Sequence, residues 1–316
     1  MQFIDVRTDF AFKKVFGSRQ SKDILLSFLN ALLDFGDNPI VDLTIVDPYQ
    51  APRVVTLKNT FVDVKAYLEN GTQVIIEMQV LNPPGFGKRV LSNVAKSYST
   101  QLEKGDEYTK LNPAIGLTIT DFVMFPQLKL KSQVITDFRF LEIHQFIHYF
   151  DEMRLVFVEL PKFNKKIREL KGIADKWIYF VKNVGHLKSI PKTLATDKAI
   201  NHALTIANAA SLTQQELDLQ ENKLRWLSDQ KTNLERAEQA EREKAEVQTA
   251  LDNALDKAAK AEAEKQAVLD KAKNAEKAAE KAAKLQIAKQ MRQANADIAF
   301  IKQVTGLKEA DITKLK

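Results

Sequence analysis

The chain has 316 residues, with 47 Lys and Arg against 41 Asp and Glu, a formal net charge of +6. The absence of cysteine excludes disulfides, thiolate-bound zinc, iron–sulfur clusters and thiol nucleophiles together. The length points to about two domains, a hydrophobic content of 45% is ample for a core, and the small basic excess leaves nucleic acid open as a partner.

The opening segment MQFIDVRTDFAFKKVFG lacks the basic stretch followed by an apolar run that marks a secretory signal. No segment approaches the roughly 20 apolar residues of a membrane helix. The expectation is a cytoplasmic protein with no membrane partner. Residues 8–34 read as two helical pieces, with Phe10, Phe12, Val15 and Phe16 on one apolar face and Ile24, Leu25, Phe28, Leu29 and Leu32 on the next. Residues 41–47, 60–68 and 72–80 alternate as strands, and Asn70-Gly71 lies between the last two as a hairpin signal. A helix is expected over 88–105, short strands over 113–120 and 154–160, and helices over 163–183 and 195–209. Interleaved strands and helices make the class α/β.

Composition changes near residue 211. All nine prolines and nearly all aromatics precede it, and Ala, Lys, Glu and Gln dominate after it. Thr213-Gln214-Gln215-Glu216 fits a capping box at the start of a long helix. Apolar residues recur every seven at Ala240, Val247, Ala254, Ala261, Val268, Ala275 and Ala282. A second line runs through Leu251, Ala258, Ala272 and Ala279 and is broken by Lys265. This is a heptad seam built mostly of alanine, so each layer buries little. It suits a weak coiled coil, an antiparallel helix pair or a single solvated helix held by i,i+4 charge pairs. At 1.5 Å per residue such an arm spans on the order of 110 Å. Residues 231–287 carry 12 basic and 12 acidic side chains, so the arm adds no net field. The tail has two short apolar faces, Ile298, Ile301 and Val304 before Gly306, then Leu307, Ile312 and Leu315, as in a small helix–turn–helix unit. The expected organisation is 1–210 globular, 211–287 helical arm and 288–316 helical cap, with assembly of like chains through the arm.

The stretch FVDVKAYLENGTQVIIEMQV, residues 61–80, carries the chemistry. A two-residue turn at Asn70-Gly71 would set Val64 opposite Glu77 and mismatch a buried face, which sheets disfavour. A three-residue loop, Glu69-Asn70-Gly71, with Gly71 in a left-handed bulge sets Val64 opposite Ile76 instead. Val62, Val64, Ala66 and Leu68 then share a face with Val74, Ile76 and Met78. On the other face Asp63 falls across from Glu77, with Gln79 and Lys65 on the same side. Two carboxylates on adjacent strands form a hard oxygen site suited to Mg²⁺ or Mn²⁺, which can activate water and neutralise a scissile phosphate. The same residues also fit a solvated sheet face with a cross-strand salt bridge.

Around this hairpin, TDFAFKKVFG (8–17), LLSFLNALL (25–33), VDVKAYLENGTQVIIEMQV (62–80), KRVLSNVAKSYSTQLEKGDEY (88–108) and NPAIGLTITDF (112–122) stand in order. Together they resemble the Rpn family of recombination-promoting nucleases, also described as transposases of the PD-(D/E)XK nuclease family. The resemblance covers the first two-thirds of the chain. It implies a restriction-endonuclease-like mixed sheet flanked by helices and a metal-dependent DNA endonuclease acting in recombination or against foreign DNA such as phage. Asp63 and Glu77 would be the metal ligands, and Gln79 would stand where the wider superfamily has its lysine. An amide cannot be a general base, and Lys65 could substitute electrostatically. Lys13, Lys14, Lys88 and Arg89 are candidates for phosphate contact or solvated charges, and Tyr98 and Gln101 for substrate contact or ordinary packing. Asp9 is either a further contributor to the site or a first-turn carboxylate favoured by the helix dipole. A substrate loop is expected over 82–87. His144 and His148, four apart, are read as structural. The second class of function is a nuclease-like binding or assembly protein that works through its arm. A transposase proper lacks an integrase-like acidic triad.

Overall fold

A computed structural model of the chain describes residues 2–50, 60–127 and 132–315. The chain divides into two compact units, one ending at Leu234 and the other beginning at Glu235. In order, the elements are α1 (Asp9–Phe16), α2 (Lys22–Leu32), β1 (Leu43–Val46), β2 (Tyr49–Gln50), β3 (Thr60–Phe61), β4 (Val64–Leu68), β5 (Gln73–Gln79), α3 (Phe86–Ser99), β6 (Ala114–Thr120), β7 (Ile135–Phe138), β8 (Met153–Glu159), α4 (Ile173–Asn183), α5 (Lys192–Ala195), α6 (Lys198–Ile206), α7 (Gln214–Gln293), α8 (Ile298–Thr305) and α9 (Glu309–Thr313).

Six strands form a mixed sheet in the order β1-β4-β5-β6-β8-β7. β5, β6 and β8 run parallel, whereas β1, β4 and β7 join antiparallel to their neighbours. The inward residues Val64, Ala66, Val74, Ile76, Met78, Leu117, Ile119, Val156 and Val158 pack against α1, α2, α4 and α6 in one core. At its centre the rings of Phe12, Phe16, Phe28, Trp177 and Phe180 meet with centroids between 4.6 and 6.4 Å. Such pairs contribute roughly 0.5–1.5 kcal/mol each beyond area burial. The opposite sheet face takes α3, through Val94 with Ile75 and Ala114 and through Phe86 and Val90 with Phe157. Gly116 permits this approach, since a Cβ there would lie 2.5 Å from Val94 Cγ2.

Several expected boundaries move. The strand expected over 60–68 is interrupted at Asp63: β3 pairs with β2 in a separate two-stranded sheet, and β4 begins at Val64. The helix expected over 88–105 runs from Phe86 to Ser99, with Thr100 at its end and Gly105 at φ +97° beyond. Gly172 caps the start of α4, so the expected 163–183 helix shortens to Ile173–Asn183 behind a 3-10 turn at Ile167–Glu169. β7 is an additional edge strand. His144 and His148 lie outside any helix, and His148 Nδ1 meets the Phe140 carbonyl at 2.9 Å.

The capping box forms as expected. The Thr213 N–H donates to Glu216 Oε2 at 2.9 Å, and the Glu216 N–H to Thr213 Oγ1 at 3.3 Å. The first turns of α7 pack within the first unit. Buried Gln220 accepts from the Thr8 hydroxyl at 2.6 Å and donates to the Asp5 carbonyl at 3.0 Å. Thr8 is in turn the N-cap of α1. In the second unit α8 and α9 fold back on the end of α7 through Ala288, Ile301, Leu307 and Ile312. Arg292 Nη1 donates to the Ile312 carbonyl at 3.0 Å, and Gly306 makes the turn at φ +68°. Val247, Leu251 and Val268 of the heptad seam are exposed. Among the described residues no helix is long and apolar enough to cross a membrane.

Candidate metal and nucleic-acid site

The β4–β5 hairpin adopts the three-residue register. Val64 pairs with Ile76, Lys65 with Ile75, Ala66 with Val74 and Tyr67 with Gln73. Gly71 sits at φ +84°, where a side chain is strained, and a Cβ there would also strike Asn112 Oδ1 at 2.5 Å. The Leu68 N–H donates to the Thr72 carbonyl at 2.9 Å and closes the loop. Continued by one residue, this register brings Asp63 across from Glu77.

The break in the strand at Asp63 has a local cause. Its Oδ2 accepts the Met78 N–H at 2.7 Å, so the side chain takes a ladder donor that would otherwise need a backbone carbonyl. Asp63 Oδ1 faces Lys13 Nζ at 3.8 Å. Burial pushes the Asp63 carboxyl up to about 6. The neighbouring Asp9 and Glu77 charges push the same way, and the Met78 N–H and Lys13 oppose them. Asp9 itself pairs with Lys223 of α7 at 3.1 Å.

Glu77 is held from α3. Its Oε1 accepts from Asn93 Nδ2 at 2.5 Å, and its Oε2 lies 3.8 Å from Arg89 Nη2. Burial raises its pKa, while Asn93 and Arg89 oppose the rise. Arg89 also donates to Gln79 Oε1 at 2.8 Å, and its guanidinium stacks 5.1 Å from the Phe86 ring centroid. One turn further, Ser97 donates to Gln73 Oε1 at 2.8 Å.

Arg89, Asn93 and Ser97 are four apart on the helix, about 6 Å per step. Glu77 and Gln79 are one step of about 6.6 Å apart on one strand face, so Asn93 and Arg89 meet them nearly in register, while Gln73, two steps from Glu77, is met by Ser97. Asn93, Ser97 and Gln73 escape a reading that looks only for charged residues. The available signal was the i, i+4, i+8 run of polar residues on a helix adjoining the acidic strand.

The fold therefore gathers Asp63, Glu77, Gln79, Lys13 and Arg89. Lys88 is exposed on α3 beside them. Four expected members are directed elsewhere. Lys65 shares the face, but its ammonium rests 5.4 Å from the Tyr67 ring centroid, and among the described residues no ion pair joins it to either carboxylate. Lys14 is paired with Glu216 at 2.5 Å. Tyr98 packs with Val62, Ile75, Val94 and Ala114, with the Glu152 charge nearby. Gln101 exchanges two hydrogen bonds with the Asn112 backbone, at 2.7 and 2.9 Å. Tyr98 lies four residues past Val94 and follows that residue's face of α3 and not that of Arg89 and Asn93, and Gln101 lies beyond the end of α3 at Ser99. The loop expected over 82–87 ends at Gly85, because α3 starts at Phe86, which is buried.

The pair fits a hard divalent cation. Each carboxylate has one oxygen fixed by a short hydrogen bond and the other approached, among the described residues, by a cation at 3.8 Å. Both carboxyls are raised chiefly by burial, a cost that a bound cation offsets. Among the described residues no group of three or more His, Cys, Asp or Glu forms a metal cluster. Mg²⁺ characteristically takes one or two carboxylates and completes its shell with water and phosphate oxygens.

Residues 6–237 match the family model described as PD-(D/E)XK nuclease family transposase, and the match ends close to the limit of the first compact unit at Leu234. No curated protein and no solved structure matches the chain. The family match spans most of the chain and covers both carboxylates, the strand register that pairs them and α3, so the chain belongs to the PD-(D/E)XK nuclease family transposases.

Proposed function

We propose that the protein is a cytoplasmic, Mg²⁺- or Mn²⁺-dependent DNA endonuclease acting in recombination or against foreign DNA. The observation that carries this reading is the opposed, largely buried pair Asp63 and Glu77, each with one oxygen held by a fixed donor. Asp63 and Glu77 would hold the cation, which when bound activates water and neutralises charge on a scissile phosphate. The Met78 N–H and Asn93 keep the two carboxylates in place. Gln79 can neither accept a proton as base nor carry charge. Its carbonyl instead accepts from Arg89, which supplies positive charge at the position where the wider superfamily has lysine. Lys13, Lys88 and Arg89 supply the local charge for DNA that a net +6 does not.

The test is supercoiled plasmid with a metal series. Wild type should nick or linearise it only with the divalent ion, and Asp63→Ala and Glu77→Ala should not; unchanged cleavage in both variants sinks the reading. Arg89→Ala is expected to lower the rate by roughly 10²–10³, the scale of losing one charge-stabilising donor, and Lys65→Ala by much less. An equal loss in the two would refute the role given to Arg89.

A second reading, a catalytically weak nuclease-like protein that assembles through its arm, is favoured by Gln79 and by the exposed seam of α7. Under it the full chain should sediment as an oligomer that Val247→Lys/Val268→Lys converts to monomer. A wild-type monomer at high concentration would exclude assembly through the arm.

A further inference from the structure

α3 covers the outer face of the sheet over β5, β6 and β8 and leaves that of β4 open beside it. Along β4 the outward residues are Lys65 and Tyr67, in line with Asp63 and spaced about 6.8 Å per step. One step from Asp63, therefore, the strand enters a cavity of about 440 Å³ lined by Lys65, Tyr67, Gln73, Thr100, Lys110 and Asn112, among others. None of the residues lining it is acidic.

The framework of this cavity is braced from below. Gln73 is held by Ser97, Asn112 is held by Gln101, and the Asn112 side chain abuts Gly71. Its two ammonium groups are only lightly engaged. Lys65 sits over the Tyr67 ring, a weak contact at an exposed site. Lys110 makes an exposed pair with Asp106 at 2.6 Å, of a kind that contributes little in water. Both can turn to a stronger anion at small cost. A polar cavity lined by two ammoniums and a phenol, with the Asp106 carboxylate paired to Lys110 outside the lining, suits anions, and its alignment with the carboxylate pair suits a chain of them.

We propose that this cavity is a backbone-phosphate subsite for the DNA strand continuing from Asp63 and Glu77, with Lys65 and Lys110 neutralising phosphates and the Tyr67 hydroxyl donating to one. This rests on the nuclease reading for the position of the strand. It also gives Lys65 a task other than the catalytic one expected of it.

The experiment titrates full-length protein against a fluorescein-labelled DNA duplex over a KCl series. All variants carry Asp63→Asn so that the DNA is not consumed. Adding Lys65→Ala/Lys110→Ala should weaken binding at least ten-fold at low salt and reduce the slope of log K against log salt by about two, one per phosphate contact. Lys188→Ala/Lys192→Ala removes the same charge from another part of the chain and should leave the slope unchanged. Tyr67→Phe should weaken binding and keep the slope, because a neutral donor releases no counterion. An unchanged slope in the first pair, or an equal fall in both pairs, overturns the subsite. Metal-dependent cleavage by the chain without Asp63→Asn is followed in parallel. Cleavage with an unchanged slope refutes the subsite and leaves the nuclease reading. A reduced slope with no cleavage under any metal refutes the nuclease reading and leaves a DNA-binding cavity.

Discussion

Asp63→Asn should abolish metal-dependent cleavage and, in the same molecule, raise the stability of the metal-free protein at pH 8. The loss of cleavage should exceed about 100-fold, since even changes behind a metal ligand cost roughly 10–100-fold. The gain in stability follows from the same carboxylate. Burial, with Asp9 and Glu77 nearby, holds Asp63 at about 6 against an ordinary 3.8. Between those values the folded chain keeps a proton that the unfolded chain has released. Stability therefore falls as pH rises from about 4 to about 6 and stays reduced above that. Two pKa units correspond to at most about 3 kcal/mol. The amide is neutral, and its oxygen can still accept the Met78 N–H. Thermal melts in chelator should show the variant several degrees above wild type at pH 8 and level with it near pH 4. Mg²⁺ should raise wild type and leave the variant nearly unmoved. A pH-independent difference between the two would refute the burial of an ionised Asp63.

Lys162→Met should cost about 3–5 kcal/mol, the scale of removing one partner from a buried ion pair. Glu159 and Lys162 are both almost fully enclosed and meet at 2.6 Å. Glu159 Oε1 also accepts the N–H groups of Met124 and Phe125 at 2.7 and 3.0 Å, and Lys162 donates to the Phe125 carbonyl at 2.9 Å. The pair thus ties the segment after β6 to the end of β8. That segment places Phe122 edge-on to Phe86, 5.6 Å between centroids, at the first residue of α3. In a unit of this size the melting temperature should fall by roughly 10 °C, with cleavage weakened as Arg89 loses its footing on Phe86. Adding Glu159→Gln should recover part of the loss, because an amide oxygen can accept the same two N–H groups without a buried charge. No change in melting temperature for Lys162→Met would show that the pair is not a brace.

The hairpin shows how far local sequence reaches. Alternation of Val62, Val64, Ala66 and Leu68 against Val74, Ile76 and Met78 admits only one register with a consistent buried face. That register requires a left-handed residue where Gly71 stands, and the structure has both, except that Val62, ahead of the strand break, packs with Ile75 and Val94 on the α3 side and not on that face. The long helix was equally legible, because its cap, its freedom from Pro and Gly, and its seven-residue repeat are all local. Boundaries were less so. The strand break at Asp63 arises because a side chain competes for the Met78 N–H, which no pattern of apolar residues records.

Identity of residue types and period along the chain were thus enough to determine an α/β fold, the carboxylate pair and the helical arm. Which cation serves that pair was decided only by tertiary structure. Lys65 shares a strand face with Asp63, yet a fully extended neighbour points along its own line and comes to rest over Tyr67. Arg89 is distant in the hairpin's own terms and reaches Gln79 because Gly116 lets α3 lie close to the sheet. Alternation places a side chain on a face. The packing of a helix across several strands determines what it meets there.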